Sequence, residues 1–173
     1  MTSTYSQQRP FLTTGYLTQL ITLVKQQGFS TEQVLANTQL DDHIMQQNTH
    51  ISPMQYHTVV ENALALSQDP LLGIKHGQRL NIASHGFVGF AAMAADDLGQ
   101  ALSLAIRYAR TRTLLADIRF HKEDDSAVVQ INRLASMPST FPFVVENIIT
   151  SFIGVARFLI NQQDQMSAVV KLN

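Results

Sequence analysis

The sequence predicts an α+β fold, a mostly helical domain with a small antiparallel sheet late in the chain. Apolar residues recur at helical spacing in five or six segments up to Arg112. Residues 117–132 instead alternate apolar and polar side chains, as in a hairpin with one buried face. A long helical pattern runs from Phe141 to Asn161, and Ala168 to Leu172 is typical of a third strand. Helices followed by strands favour an α+β arrangement.

Composition limits both the size of the fold and its partners. The 173 residues suffice for one domain, and 12 basic against 13 acidic residues give a net charge of −1. This charge provides no general attraction to nucleic acid or to an anionic membrane. The absence of cysteine excludes disulfides and thiol catalysis. A charged fraction of only 14% indicates apolar surface that is covered by a partner or by sequence not included here.

We expect residues 1–13 to form a flexible leader and residues 14–173 to form the domain. The leader lacks the basic and then apolar order of a signal peptide, which predicts a cytoplasmic protein. The most apolar segment, Phe141 to Ile160, is interrupted by Glu146 and Arg157. We interpret it as a core helix, and we expect no membrane partner.

Capping residues define the helices of the first half. Tyr16 to Gln27 ends at a glycine, and a short second helix begins after Ser30. A polar loop follows, and the Ser52-Pro53 pair then starts a longer helix. Asp69 and Pro70 repeat this start for a helix ending near Arg79, whose two glycines, Gly73 and Gly77, permit close approach of a neighbour.

The first two helices also suggest a DNA-binding helix-turn-helix as an alternative. The segment in the position of a recognition helix, Thr31 to Thr38, contains Glu32 and no Lys or Arg. It therefore lacks the residues that contact phosphates and guanine, which argues against DNA binding by this pair.

The segment Ser84 to Arg112 is predicted to hold the centre of the core. Phe87 to Ala95 is apolar on every side, which predicts a short, wholly buried helix. Asp97 then caps an amphipathic helix. This second helix either ends near Arg110, leaving Arg112 in solvent, or continues and directs Arg112 to its apolar face, where a guanidinium needs a partner.

Motifs of catalysis and metal binding are missing from the sequence. The six histidines lack the spacing of a helical zinc pair, and no G-x-S-x-G elbow, phosphate-binding glycine loop or dinucleotide fingerprint occurs. We therefore predict that the protein is not an enzyme and has neither a metal nor a cofactor.

Three motifs follow one another in the sequence: Asp69 to Gly77 (DPLLGIKHG), Gly86 to Ala92 (GFVGFAA) and Asp97 to Leu102 (DLGQAL), followed by Tyr108. In this order they resemble the N-terminal, arabinose-binding-type effector domain of AraC-type transcriptional regulators. The likeness covers Thr14 to Leu172. It implies a regulator, usually dimeric, that senses a small-molecule effector and binds DNA only through a C-terminal helix-turn-helix domain absent from this sequence. It also implies that the sensory domain is truncated.

The resemblance transfers no effector residue, because the matching positions are glycines and apolar residues. If the effector is anionic, geometry predicts that it is held between the central helix pair and the hairpin. The candidate ligand contacts are the polar residues Arg112, Tyr108 and His85 and an apolar wall of Phe87, Phe90 and Met93. The alternatives are structural: Arg112 paired with Asp117 or Glu146, His85 at a helix cap, and the three apolar residues in the core.

Two other functions are weighed against the sensory domain. A haem or gas sensor also combines helices with a small sheet, but the Tyr-x-Ser-x-Arg motif of haem nitric-oxide-binding domains is missing. A small hydrolase or isomerase would use His85 or His121 with Asp117, provided that the imidazole and the carboxylate lie within hydrogen-bond reach.

Overall fold

A computed structural model describes residues 12–112, 116–123, 126–133 and 139–160, without the side chains of residues 108–112, 122, 126 and 127. The elements are β1 (Leu12–Thr13), α1 (Gly15–Lys25), α2 (Thr31–Val34), α3 (Asp42–Gln46), β2 (His50–Ile51), α4 (Pro53–Ser67), α5 (Leu72–Arg79), a 3-10 turn (Ile82–His85), α6 (Phe87–Met93), α7 (Leu98–Arg112), β3 (Ala116–Glu123), β4 (Ser126–Arg133) and α8 (Phe141–Leu159). The predicted α+β class is confirmed. The predicted strand at residues 168–172 lies outside the described residues.

The helix starts follow the capping residues. Ser30 and Ser52 each accept from the backbone N–H three residues on, while the glutamine at that position accepts from the serine N–H. Asp97 accepts from the backbone N–H of Gln100 at 2.8 Å and starts α7. These bonds satisfy donors that a helix leaves unpaired in its first turn, which is why the starts were predicted correctly.

A short antiparallel ribbon pairs β1 with β2, Leu12 opposite Ile51 and Thr13 opposite His50. Residues 12 and 13 were assigned to the leader, so that boundary is wrong by these two residues. A strand of two residues is too short to show an alternation of apolar and polar side chains, and each of these strands pairs with residues almost forty positions away. No local sequence pattern therefore predicts them. The rest of the predicted leader lies outside the described residues.

The main core lies between α1, α4, α5 and α8, not in the predicted segment from Ser84 to Arg112. Its buried residues are Leu12, Leu17, Leu20, Ile21, Leu23, Val24, Val34, Leu35, Ile51, Tyr56, Val59, Val60, Ala63, Leu72, Phe143 and Val144. The helix α6 is not wholly buried, since Phe87, Phe90 and Met93 are 89%, 55% and 43% exposed. One face of α6 packs inward through Gly89 and Ala92. Its apolar composition therefore did not indicate burial on every side.

The glycines of α5 permit close contact with α8, as predicted. A Cβ on Gly77 would collide with the Thr150 hydroxyl and lie 2.6 Å from the Asn147 carbonyl oxygen. A Cβ on Gly73 would lie 2.8 Å from the Phe143 carbonyl oxygen. Both distances are shorter than van der Waals contact, so the two backbones can approach this closely only because these positions lack a side chain.

His76 joins three helices inside this contact. Its side chain is 1% exposed, Nε2–H donates to the Tyr16 carbonyl of α1 at 2.9 Å, and Nδ1 accepts from the Asn147 amide of α8 at 2.8 Å. The ring stacks on Phe143 with centroids 5.6 Å apart. Burial lowers the pKa of His76 to about 4. The hydrogen bond to Tyr16 acts in the opposite direction and raises the pKa, whereas the charge of Arg79 also lowers it. The imidazole is therefore neutral at pH 7, with the proton on Nε2.

The β3–β4 hairpin confirms the predicted alternation, with Ile118 opposite Ile131 and Phe120 opposite Val129. Ile118 is buried in a second, smaller cluster with Ile106 of α7 and Ala116. Asp117, predicted on the outer face, is also buried, and its carboxylate accepts from Arg119 Nε at 2.7 Å. The second cluster contacts Ile148 and Phe152 of α8, so α8 connects the hairpin to the main core.

Within the described residues, α8 alone is long and apolar enough to cross a membrane. Its Phe143 and Val144 belong to the main core, and it packs along α5. Its buried residues are Phe143, Val144, Ser151 and Ala156. These contacts are those of a core helix in a globular domain.

The close contact between α5 and α8 can be tested with two alanine substitutions. An exposed Gly→Ala change in a helix normally stabilises a protein by about 1 kcal/mol. Gly154→Ala on α8 has this effect, because no atom outside its own helix lies near the added methyl group. Gly77→Ala has the opposite sign and costs about 1–3 kcal/mol, because the methyl group meets backbone atoms of α8. Urea unfolding measures both, and stabilisation by Gly77→Ala would contradict the packing.

Burial of neutral His76 predicts a specific dependence of stability on pH. The folded pKa of about 4 lies below the ordinary value of 6.5, so the unfolded chain binds the proton first as pH falls. Neutral His76 therefore contributes about 3 kcal/mol to the free energy of unfolding above pH 6.5. This contribution is lost as the pH falls from 6.5 to about 4. His76→Gln, which cannot titrate, gives a flatter stability curve across this window. Parallel curves for the two proteins would show that His76 does not contribute.

Candidate functional site

A cavity of about 110 Å³ lies where the main core meets the hairpin cluster. Residues of α1, α4, α6, α7, β3 and α8 line it, together with the 3-10 turn and its flanks. This position, between the central helix pair and the hairpin, is the region in which the sequence predicted a ligand. The helices α6 and α7 contribute three small residues to its lining, Gly89, Ala92 and Ala105.

Most of the cavity wall is apolar. The apolar lining residues are Leu12, Leu80, Val88, Ala92, Ala105, Ile118, Val144, Ile148, Phe152 and Val155. No Asp, Glu, Lys or Arg belongs to the lining within the part of the chain that the structure describes. A wall of this composition binds apolar surface well.

The polar part of the wall is a chain of three side chains from separate elements. The hydroxyl of Tyr16 in α1 lies 3.3 Å from His85 Nδ1, and His85 Nε2 lies 2.9 Å from the Ser151 hydroxyl in α8. The Tyr16 and His85 rings also meet edge to face, with centroids 6.0 Å apart. We call Tyr16, His85 and Ser151 the hydroxyl–imidazole relay.

Local backbone geometry positions His85 in this relay. The 3-10 turn is capped by Asn81, whose side chain accepts from the Ser84 N–H at 3.0 Å. Gly86 follows with φ of 57° and ψ of −135°, a conformation that favours glycine, and redirects the chain into α6. Gly89 then contacts the Ile82 carbonyl so closely that a Cβ would collide with it. The turn therefore lies firmly against α6, with the imidazole directed into the cavity.

Two further polar side chains line the cavity, Tyr56 and Asn147. Burial raises the pKa of the Tyr56 hydroxyl, so this group remains protonated. The amide of Asn147 donates to His76. Asn147 therefore links the cavity wall to the neutral histidine at the centre of the helix packing.

Phe87, Phe90 and Met93, which were predicted to form the apolar wall, do not line this cavity. These side chains are exposed, and α6 lines the cavity with Val88, Gly89 and Ala92. A helix of apolar residues has no polar face to orient it, so its sequence could not indicate which side turns inward. His85, in contrast, does line the cavity.

The helix α7 continues to Arg112 and does not end near Arg110. The side chains of Arg112 and Tyr108 lie outside the described residues, so their role as ligand contacts stays a prediction. Of the two acids considered as partners of Arg112, Asp117 accepts from Arg119. Partial burial raises the pKa of the other, Glu146.

The catalytic and haem alternatives gain little from the geometry. His121 Nε2 lies 2.9 Å from Glu123, on the exposed side of the hairpin, and Asp117 pairs with Arg119. Both ring nitrogens of His85 face hydroxyl groups, one of which would have to move for His85 to bind a haem iron. Within the described residues, no three His, Asp or Glu side chains are grouped to hold a metal ion.

Comparison with known proteins identifies the class to which this α+β domain belongs. Residues 28–170 match the family described as the arabinose-binding domain of AraC transcription regulators, N-terminal. The match covers most of the chain, which therefore belongs to this family, and the predicted resemblance is confirmed.

Curated relatives agree with this assignment. The chain is 27% identical over 151 residues to the ornithine utilization regulator of Pseudomonas aeruginosa, covering 86% of this chain and 44% of the relative. It is 27% identical over 137 residues to an uncharacterized HTH-type transcriptional regulator of Mycobacterium bovis, covering 78% of this chain and 40% of the relative. A regulator of Mycobacterium tuberculosis matches equally. The chain thus spans less than half the length of these relatives, and no solved structure matches it significantly.

Proposed function

We propose that this chain is the effector-binding domain of an AraC-type transcriptional regulator and that the effector binds in the cavity beside the hydroxyl–imidazole relay. The observation that carries the proposal is the cavity itself, an apolar space with a few convergent polar groups from three elements. Binding sites for small molecules usually have this composition. Family membership supports a sensory rather than a catalytic role.

Ornithine, the compound in the name of one relative, is a comparison ligand for the cavity. Ornithine carries ammonium and carboxylate groups, and transferring such charges to an apolar site without partners is costly. The described wall contains no carboxylate to pair with an ammonium group. Ornithine is therefore a useful comparison ligand.

DNA binding is proposed to reside in a separate helix-turn-helix domain rather than in this chain. This chain has a net charge of −1, and its short helix α2 contains no Lys or Arg. Non-specific binding to DNA depends on neutralising phosphates with basic side chains. A regulator that acts on DNA is expected in the cytoplasm, and nothing in this proposal requires a membrane.

A second copy of this chain is the protein partner that we propose. Phe87, Phe90 and Met93 form an exposed row on α6, in a chain with few charged residues. Leaving two phenylalanines and a methionine in water forfeits about 25 cal/mol for each Å² of apolar surface. A two-fold contact between two α6 helices would cover the row on both copies.

The effector site can be tested by filling the cavity. Ala92→Leu adds three carbons to the inward face of α6, whereas Ala94→Leu places the same side chain at an exposed position after this helix. A metabolite that binds in the cavity at a hundred times its Kd stabilises the protein by about 2.7 kcal/mol. We expect this stabilisation in thermal unfolding of the natural chain and Ala94→Leu, and its loss in Ala92→Leu. Equal stabilisation of both variants would place the site elsewhere.

The dimer can be tested on the exposed row. The double change Phe87→Ser and Phe90→Ser removes the two aromatic rings without touching the cavity wall. We expect a dimer for the natural chain and a monomer for the variant in sedimentation velocity. Phe158→Ser is the matched control, because Phe158 is exposed on α8, away from the row in the sequence. If Phe158→Ser gives a monomer and the double variant does not, the interface lies on α8 and not on α6.

A further inference from the structure

One polar side chain of the cavity wall, Tyr56, carries a hydroxyl group that forms no hydrogen bond with the described residues. We propose that this hydroxyl contacts the effector, and that the effector presents an oxygen acceptor to it, in a carbonyl, carboxyl or hydroxyl group. This role depends on the effector site proposed above, because Tyr56 lies in the wall of the same cavity.

The Tyr56 hydroxyl faces open space although its side chain is deeply buried. Tyr56 is only 5% exposed and belongs to the main core. Burial raises its pKa, the neighbouring Tyr16 raises it further, and no hydrogen bond from a described residue acts on it. No side-chain oxygen or nitrogen of the described residues is both sealed in the packing and without a partner. The Tyr56 oxygen is therefore accessible, and the space that Tyr56 lines is the cavity.

Tyr56 differs in this respect from the other polar side chains of the described wall. The side chains of the relay contact one another, and Asn147 donates to His76. A phenylalanine ring would fill the position of Tyr56 equally well and would add no polar atom to the core. A buried hydroxyl that bonds to no protein group costs free energy. A ligand that accepts from the Tyr56 O–H offsets this cost.

The protonation state of Tyr56 determines what the ligand must offer. Because its pKa is raised, the hydroxyl keeps its proton at neutral pH and donates one hydrogen bond. A carbonyl, carboxylate or hydroxyl oxygen accepts this bond, whereas a hydrocarbon group would cover the donor without satisfying it. The cavity measures about 110 Å³, and an apolar cavity of about 150 Å³ accommodates benzene. The part of the ligand beside Tyr56 is therefore a small ring or a short chain.

The first turn of α4 holds Tyr56 in position. Its backbone N–H donates to the Ser52 carbonyl at 3.1 Å, next to the capping box that Ser52 forms with Gln55. The Gln55 amide also donates to the Thr38 carbonyl at 3.1 Å, which joins this turn to the loop between α2 and α3. One turn further along α4, Val59 is fully buried. A donor that the fold already orients loses little conformational freedom when a ligand binds.

Two tyrosine-to-phenylalanine changes distinguish a ligand contact from a structural hydroxyl. Tyr56→Phe removes a hydroxyl that no described residue binds, and we expect it to change Tm by less than about 1 °C. Tyr16→Phe is the matched control, because the Tyr16 hydroxyl contacts His85, and we expect Tm to fall by about 2–4 °C. Differential scanning calorimetry measures both. A fall for Tyr56→Phe as large as that for Tyr16→Phe would make its hydroxyl structural and overturn the proposal.

The ligand chemistry is tested with two probes of equal shape, cyclopentanone and methylenecyclopentane, in which a methylene group replaces the carbonyl oxygen. Titrations followed by ¹H–¹⁵N NMR give the Kd of each probe. We expect Tyr56→Phe to raise the Kd of cyclopentanone about fivefold and to leave the Kd of methylenecyclopentane unchanged. Because the two proteins are compared with the same probe, the cost of removing that probe from water cancels. Ala92→Leu, which fills the cavity, should abolish binding of both probes.

The outcomes separate this proposal from the effector site on which it depends. If Tyr56→Phe changes the Kd of both probes alike, or of neither, the Tyr56 hydroxyl does not contact the ligand. When Ala92→Leu still abolishes binding in that case, the cavity remains the effector site and only the role of Tyr56 fails. If neither probe shifts the amide signals of the cavity wall, or if binding survives Ala92→Leu, the cavity is not the binding site and both proposals fail.

Discussion

The buried, neutral imidazole of His76 is the contact on which the arrangement of the described helices depends. It lies on α5, donates to the backbone of α1 at Tyr16 and accepts from α8 at Asn147. Both of its ring nitrogens are satisfied, which burial requires of any polar side chain. The His76 imidazole stays neutral in this contact, because burial lowers its pKa to about 4. One side chain thus fixes the relative positions of three helices.

The same contact positions the candidate site. Tyr16, whose carbonyl oxygen accepts from His76, also contributes its hydroxyl to the relay. Asn147, the other partner of His76, precedes Ser151 by one turn of α8. Two of the three relay side chains therefore come from helices that His76 holds together. Gly73 and Gly77 let α8, which carries Ser151, lie directly on α5.

Family membership and effector chemistry are carried by different residues. The motifs that resemble AraC-type sensory domains consist largely of glycines and apolar residues, and the structure uses Gly73, Gly77 and Gly89 for close backbone contacts. Such positions maintain a fold. Under the proposed function, the residues that line the cavity around Ser151 and His85 determine which molecules it can hold.

Local sequence determined the features that depend on local interactions. Four features are each encoded within a few residues, and all were predicted correctly: the capping boxes at Ser30 and Ser52, the glycine contacts of α5, the amphipathic face of α7 and the alternation of the hairpin. The tertiary structure alone decided which face of an apolar helix turns inward. It exposed Phe87 and buried Ala92, because every face of α6 is apolar and only the neighbouring elements distinguish them. It also assembled the relay, since Tyr16 lies 69 positions from His85 and Ser151 lies 66 positions beyond it. No sequence pattern spans such separations, so three unremarkable side chains become a candidate site only when α1, the 3-10 turn and α8 pack together.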